Sequence, residues 1–200
     1  MVSLVARMTK PAWPVRELTR LDGRAYEQHL LKLEAEDRRL RFGTPVADHI
    51  VRSYVAGIDS HRDALFGVFD DNLHLLGAAH LARGDHYAEL GVSVLADYRQ
   101  RGVGAALLER AMLRARNWGR TKLFMRCLKE NETMMHLARK QGMDIVTDAG
   151  EADAWLKLPE PDAGSYFGEV FAQRFALFDY ALKALRPGFP NLSSSGRTRR

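Results

Sequence analysis

Residues 92–108 read Val92-Ser-Val-Leu-Ala-Asp-Tyr-Arg-Gln-Arg-Gly-Val-Gly-Ala-Ala-Leu-Leu108. An extended apolar segment ends near residue 95. Arg99 and Arg101 follow, then Gly102 and Gly104, and an amphipathic helix begins at once. Val103, Leu107, Leu108, Ala111, Met112 and Ala115 share one face at helical spacing, and Gly119 stops the run. The first N–H groups of a helix have no partner within it, and the macrodipole makes that end positive. Glycines let a ligand approach the backbone there. Such a turn is built to hold a phosphate, and the two arginines add charge and fork geometry. The first acid inside the helix is Glu109, beyond its first turn.

Two common phosphate motifs are excluded. A Walker loop needs Gly-Lys-Ser/Thr before its helix, and none is present. A dinucleotide fingerprint needs a third small residue three places after Gly104, where Leu107 stands.

Upstream, residues 64–69, 73–82 and 87–95 predict three strands joined by tight turns, an antiparallel meander. Before them, residues 15–21 predict a first strand and 24–40 a charged helix with apolar positions at Leu30, Leu31, Leu33 and Leu40. Thr44-Pro45 predicts a helix start, with Val46, Ile50, Val51, Tyr54 and Val55 on one apolar face. Downstream come a strand at 122–127, a short helix at 132–140 stopped by Gly142, and a hairpin from 143–147 and 152–158. The order predicts a mixed α+β fold. One central, mostly antiparallel sheet contains a parallel pair around the glycine-headed helix and is flanked by helices.

A further helix over 165–185 carries Phe167, Phe171, Phe175, Phe178, Leu182 and Leu185 in a stripe. That stripe needs burial on its own sheet, in a dimer interface, or over an acceptor cleft. The expected organisation is a flexible N-terminus at 1–13, one domain at 14–160, a helical extension at 161–186, and a disordered basic tail at 187–200. Met8 is an alternative start.

The chain has 200 residues, 46% hydrophobic and 28% charged, which excludes a wholly disordered chain, a collagen and a disulfide miniprotein. Four of its five net positive charges come from the C-terminal end: Arg186, Arg197, Arg199 and Arg200 follow the last acid, Asp179. No apolar run approaches the roughly 20 residues of a membrane span. The single cysteine, Cys127, fits a reducing compartment, so a cytoplasmic location is expected. The seven histidines show no metal-ligand spacing, and no metal site is expected.

The segment Arg99-Gln-Arg-Gly102-Val-Gly104-Ala-Ala-Leu-Leu108 resembles the acetyl-CoA signature of the GNAT acetyltransferase superfamily. A second block agrees: Asn131-Glu-Thr-Met-Met-His-Leu-Ala-Arg-Lys-Gln-Gly142-Met143 is similar to that family's Asn-x-x-Ala-x-x-Leu-Tyr-x-x-x-Gly-Phe. The resemblance implies an N-acetyltransferase moving the acetyl group of acetyl-CoA to a primary amine, on a small molecule or a protein lysine or N-terminus. It implies that backbone N–H groups of Arg101, Gly102, Val103, Gly104 and Ala105 hold the CoA pyrophosphate, beside Arg99. The pantetheine arm is then expected along the backbone at Val92, Val94 and Leu95, and Asn131 binds the cofactor or simply caps its helix. Glu89 falls where some relatives place a catalytic base; as a bare sequence position it reads equally as an exposed, ion-paired strand residue.

At the family's usual acid, tyrosine, stands Ala138. Tyr98, Cys127, Tyr166 or solvent are the substitutes, and the departure leaves open a non-catalytic acyl-CoA-binding or sensing module. Arg38, Arg39, Arg41 and Phe42 lie where the superfamily builds its acceptor cleft, either steering an acidic substrate or forming a solvated face. Nucleic acid and membrane are not expected partners; a homodimer through the C-terminal helix is open.

Overall fold

A computed structural model describes residues 13–185. The expected basic tail and nearly all of the expected flexible N-terminus lie outside the described residues. The chain runs β1 (Arg16–Leu18), α1 (Gly23–Leu31), α2 (Ala35–Phe42), α3 (Asp48–Ala56), β2 (Ala64–Phe69), β3 (Leu75–Arg83), β4 (Tyr87–Val94), α4 (Val103–Asn117), β5 (Lys122–Leu128), α5 (Glu132–Lys140), β6 (Asp144–Asp148), β7 (Glu151–Lys157) and α6 (Ala163–Leu185). Among the described residues the sheet has seven strands in the order β1-β2-β3-β4-β5-β7-β6. Every neighbouring pair is antiparallel except β4–β5, the parallel pair around α4. The mixed, mostly antiparallel sheet with flanking helices and an extra C-terminal helix is the expected architecture.

The two faces of the sheet make two cores. Phe66, Val68, Ala79, Leu81, Leu90 and Val92 pack with Val103, Leu107, Leu108 and Ala111 of α4. On the other face, Phe69, Leu75 and Ala78 pack with Tyr26, Leu30 and Val51 of α1 and α3. The alternation of strand side chains places Glu89, Gly91 and Ser93 on this second face, opposite Ala82, His80 and Ala78 of β3.

Three elements differ from expectation. The first strand stops at Leu18, because the Asp22 carboxylate accepts from the Thr19 backbone and from Arg16 and closes a 3-10 turn at Arg20–Asp22. The stretch at 24–40 is two helices, since between 34 and 39 only the small, exposed Ala35 is apolar and nothing larger anchors a continuing turn. Released from the core, α2 buries no residue. Helix α3 begins at Asp48 rather than after Thr44, since Arg38 bonds the Val46 carbonyl and the Asp48 carboxylate and holds the entry extended.

Helix α6 lies on α4 and β1 through its polar side. Glu169 binds Arg110 at 2.9 Å and also binds Arg114, which binds Glu17. Gln173 accepts from the Glu17 amide, and Tyr180 meets the Phe69 ring edge-on. Burial opposes ionisation of Glu169, but Asn117 and the arginines outweigh it and hold its pKa below the ordinary value. Phe167, Phe171 and Phe178 point away from the sheet, at 77%, 65% and 63% exposure. These three rings of the stripe therefore do not pack on the chain's own sheet, while Phe175 is half-buried.

Candidate functional site

The parallel pairing of β4 with β5 covers only Tyr87↔Lys122, Ala88↔Leu123 and Glu89↔Phe124. Beyond Glu89 the strands part, while β4 stays paired with β3 as far as Val94 and β5 with β7 as far as Leu128. The fork leaves an unpaired strand edge on β4. The Leu95 amide donates to the Leu76 carbonyl at 2.9 Å, toward β3. Strand alternation then turns the Val94 and Val92 amides toward the open side and the Leu95 amide away from it.

A cleft of about 540 Å³ fills the fork. Val92, Val94, Arg99, Gly102, Gly104, Ala105 and Asn131 all line it. At its head, Gly102 caps α4 with φ of 85°, a left-handed conformation that favours glycine. Trp13 Nε1 donates to the Arg101 carbonyl at 2.6 Å, which fixes that peptide and sends the Gly102 N–H the opposite way. No acid sits in the first turn of α4, so the positive end of the helix is unopposed there.

The remaining expected contacts are distributed differently. Val103 is buried against the position of Gly77, so only its backbone serves the turn. The Arg101 side chain is exposed, with its guanidinium 5.4 Å from the Tyr98 ring centre. Arg99 reaches across the cleft to Asp37 of α2 at 2.5 Å and donates through Nε to the Val94 carbonyl. Asn131 caps α5 by accepting from the Met134 amide, and the same buried side chain lines the cleft.

A second cleft of about 370 Å³ adjoins the first and shares Arg41, Leu90, Gly91, Arg126 and Cys127 with it. Glu89 lines this second cleft, exposed, together with Phe42, Tyr54 and His80. Of the arginines before α3, Arg38 and Arg39 are held by Asp48, Glu36 and Glu130, whereas Arg41 turns inward. Arg41 Nη2 donates to the Tyr54 hydroxyl at 3.0 Å. Among the described residues, no carboxylate lies within ion-pair distance of Arg41. By spacing alone Tyr54 is an apolar-face position of α3 and His80 carries no signal; the fold makes both functional candidates.

The candidates for a proton donor separate cleanly. Ala138 is buried in the α4-side core. The Tyr166 hydroxyl donates to the Asn117 carbonyl between α6 and α4. Tyr98 packs against the core beneath Arg101. Cys127 lines both clefts, but burial raises its thiol pKa and its Sγ rests 3.9 Å from Met135 Sδ. Among the described residues no cluster of His, Cys, Asp and Glu is arranged to hold a metal, and no helix is long and apolar enough to cross a membrane.

A search of curated sequences finds no match. Solved structures with the same fold include the GNAT domain of Streptomyces lividans PAT, at 19% identity and TM-score 0.63, covering 72% of this chain and 89% of that one. They include Salmonella typhimurium yncA with its cofactor acetyl-CoA, at 18% and 0.56, covering 76% and 98%. They also include Vibrio cholerae spermidine N-acetyltransferase with CoA and spermine, at 18% and 0.58, covering 72% and 94%. The family model described as the acetyltransferase (GNAT) family matches residues 23–143, from α1 through the glycine turn to the end of the second motif block. A chain with this fork, this glycine-headed helix and that match over more than half its length belongs to the GNAT acetyltransferase family.

Proposed function

We propose that this protein is an acetyl-CoA-dependent N-acetyltransferase acting on a primary amine. The observation that carries the proposal is the fork between β4 and β5, with a free strand edge on one wall and an unopposed helix N-terminus at its head. Those features fit the two ends of a CoA molecule. The amide-rich pantetheine arm can add to the strand edge at Val92 and Val94. The pyrophosphate can take the N–H groups of residues 101–105, with Arg99 and Asn131 alongside. When bound, acetyl-CoA supplies an activated acetyl group. The relatives crystallised with acetyl-CoA, and with CoA and spermine, support the same reading. A reducing, cytoplasmic setting is part of it, supported by the lone cysteine.

The acceptor enters by the second cleft, as a small-molecule amine or a protein lysine or N-terminus. A lysine-type amine has a pKa near 10.4, so only about one in 2,500 is neutral at pH 7. Glu89, on the wall of that cleft, attracts the ammonium and removes its proton, directly or through water.

The test is CoA release across a panel of amines, with Glu89→Gln beside the wild type. Turnover is expected on at least one amine, with the variant slower by about tenfold or more near neutral pH and unchanged in acetyl-CoA binding. Acetyl-CoA binding with no turnover on any amine would favour a non-catalytic acyl-CoA sensor, the reading that the missing tyrosine at Ala138 supports. The outward aromatic stripe of α6 is an apolar surface suited to a second copy of this chain.

A further inference from the structure

The second cleft contains a chain of hydrogen-bonded side chains that the mechanism above does not use. His80 Nε2 lies 3.0 Å from Asp63 Oδ2, and His80 Nδ1 lies 2.6 Å from the Tyr54 hydroxyl. Arg41 Nη2 donates to the same hydroxyl at 3.0 Å. The side chains of His80 and Asp63 are only 12% and 13% exposed, while Tyr54 and His80 form part of the cleft wall beside Glu89. The four groups come from α2, α3, β3 and the residue just before β2.

Chemistry assigns the protons. An ionised carboxylate only accepts, so the Asp63 contact puts a proton on His80 Nε2. Burial holds the His80 pKa below its ordinary value against the opposing pull of Asp63, so the ring is neutral and Nδ1 is a lone pair. The Tyr54 O–H therefore donates to Nδ1. Its oxygen accepts from Arg41, with the buried Tyr26 alongside, and Tyr54 lines the cleft. This is a base oriented by a third group, the arrangement that activates proton transfer in many enzymes. The charged and titratable groups around it are Arg41 of α2, Tyr26 of α1, Glu89 of β4, Arg126 and Cys127 of β5, and Glu151 of β7.

Resting on the acetyltransferase reading, we propose that Tyr54 is a catalytic proton shuttle, with His80 and Asp63 as its positioning residues. The amine reaches the acetyl carbonyl carbon neutral, its first proton passed to Glu89 and on to solvent. As the C–N bond forms, the nitrogen becomes acidic. Its proton moves to the Tyr54 oxygen while the Tyr54 proton moves to His80 Nδ1. The imidazolium so formed is held by the Asp63 carboxylate, and Arg41 offsets negative charge on the phenolic oxygen. The C–S bond breaks and the sulfur keeps its electron pair. The proton then returns from His80 through Tyr54 to the sulfur, giving the free thiol. One group thus serves as base and then as acid, which supplies the donor that Ala138 does not.

The experiment is steady-state CoA release by wild type, Tyr54→Phe and Asp63→Asn across pH 5 to 9, with unfolding midpoints recorded for each. Tyr54→Phe keeps the ring against Phe42. It is expected to lower kcat about tenfold or more, with the KM for acetyl-CoA within about twofold. In the wild type, kcat falls on the acid side as His80 becomes an imidazolium. Asp63→Asn is expected to move that limb to lower pH, since the carboxylate favours the imidazolium, and Tyr54→Phe to abolish it. Should Tyr54→Phe fail to fold, His80→Gln gives the same readout with Tyr54 in place. A kcat within twofold of wild type, or an acid limb unmoved in Asp63→Asn, overturns the shuttle and leaves the acetyltransferase reading intact. No turnover by the wild type on any amine overturns that reading, and the shuttle with it.

Discussion

The Arg41 guanidinium rests directly on Gly91: a Cβ there would stand 2.3 Å from Nη2 and 2.6 Å from Nη1. Glycine is therefore required by close approach, at the point where the two clefts join. Gly91→Ala drives away the end of a flexible side chain rather than backbone, so the fold is expected to lose only about 1 kcal/mol. The displaced guanidinium leaves Tyr54, and kcat should fall severalfold. Arg41→Met should give a similar loss, and the double variant no more than the worse single one, since both remove the same contact. Additive losses in a double-mutant cycle would show that Gly91 acts in some other way.

The Arg99–Asp37 ion pair crosses the cleft in the fork. On the proposed cofactor reading, a pyrophosphate entering there would meet Arg99 with its charge already engaged. Asp37→Asn frees it and should tighten CoA binding about threefold, whereas Arg99→Ala should weaken it about tenfold. Isothermal titration with CoA reads both. A weaker complex with Asp37→Asn would contradict this competition.

His29 joins α1 to the sheet, with Nδ1 3.1 Å from the Leu75 carbonyl and Nε2 2.9 Å from Ser93 Oγ. The Leu75 carbonyl only accepts, so Nδ1 donates, and burial favours the neutral ring, which leaves Nε2 to accept from the Ser93 hydroxyl. Burial pushes its pKa down to about 4. An unfolded histidine binds its proton near pH 6.5, so the unfolded chain takes up a proton first as pH falls. The contribution is complete above about pH 6.5 and is lost on going down toward 4, by at most roughly 3 kcal/mol. Urea unfolding at intervals from pH 7 to 4.5 should show this slope, and His29→Gln should flatten it. His80, also lowered by burial, adds in the same direction.

The outward face of α6 makes an oligomer prediction. Phe171 and Phe178, exposed at 65% and 63%, lie two turns apart. Light scattering is expected to give a dimer for wild type and a monomer for the Phe171→Ser, Phe178→Ser double variant. A monomeric wild type would end the dimer proposal.

Local signals determined which elements were legible. Helix α5 lies where the sequence put it, because Asn131 caps one end and Gly142 follows the other. The strand at Ala64–Phe69 is likewise bounded by turn residues, Asp63 and Asp70. The wall proposed for the cofactor was legible for a related reason: most of its residues are neighbours in sequence around one turn. Arg41, Tyr54 and His80 belong to three different elements and Asp63 to the loop before β2, so no spacing joins them. Tyr54 read as one more apolar position in α3, and its ring does pack on Phe42. Only the tertiary fold brings its hydroxyl to His80. The α6 stripe misled for the opposite reason. Aromatic periodicity marked a face correctly, but the Glu169–Arg110–Arg114–Glu17 network selects which face meets the sheet.

The fork after Glu89 also divides the sheet mechanically. Strands β1–β4 form one ribbon and β5–β7 another, stitched by three residue pairs at one end. A guest strand laid between them would act as a splint, restraining the two ribbons against each other. Hydrogen exchange should register this as slower exchange of the Val92 and Val94 amides on addition of CoA, with the Leu95 amide, already bonded to Leu76, unchanged.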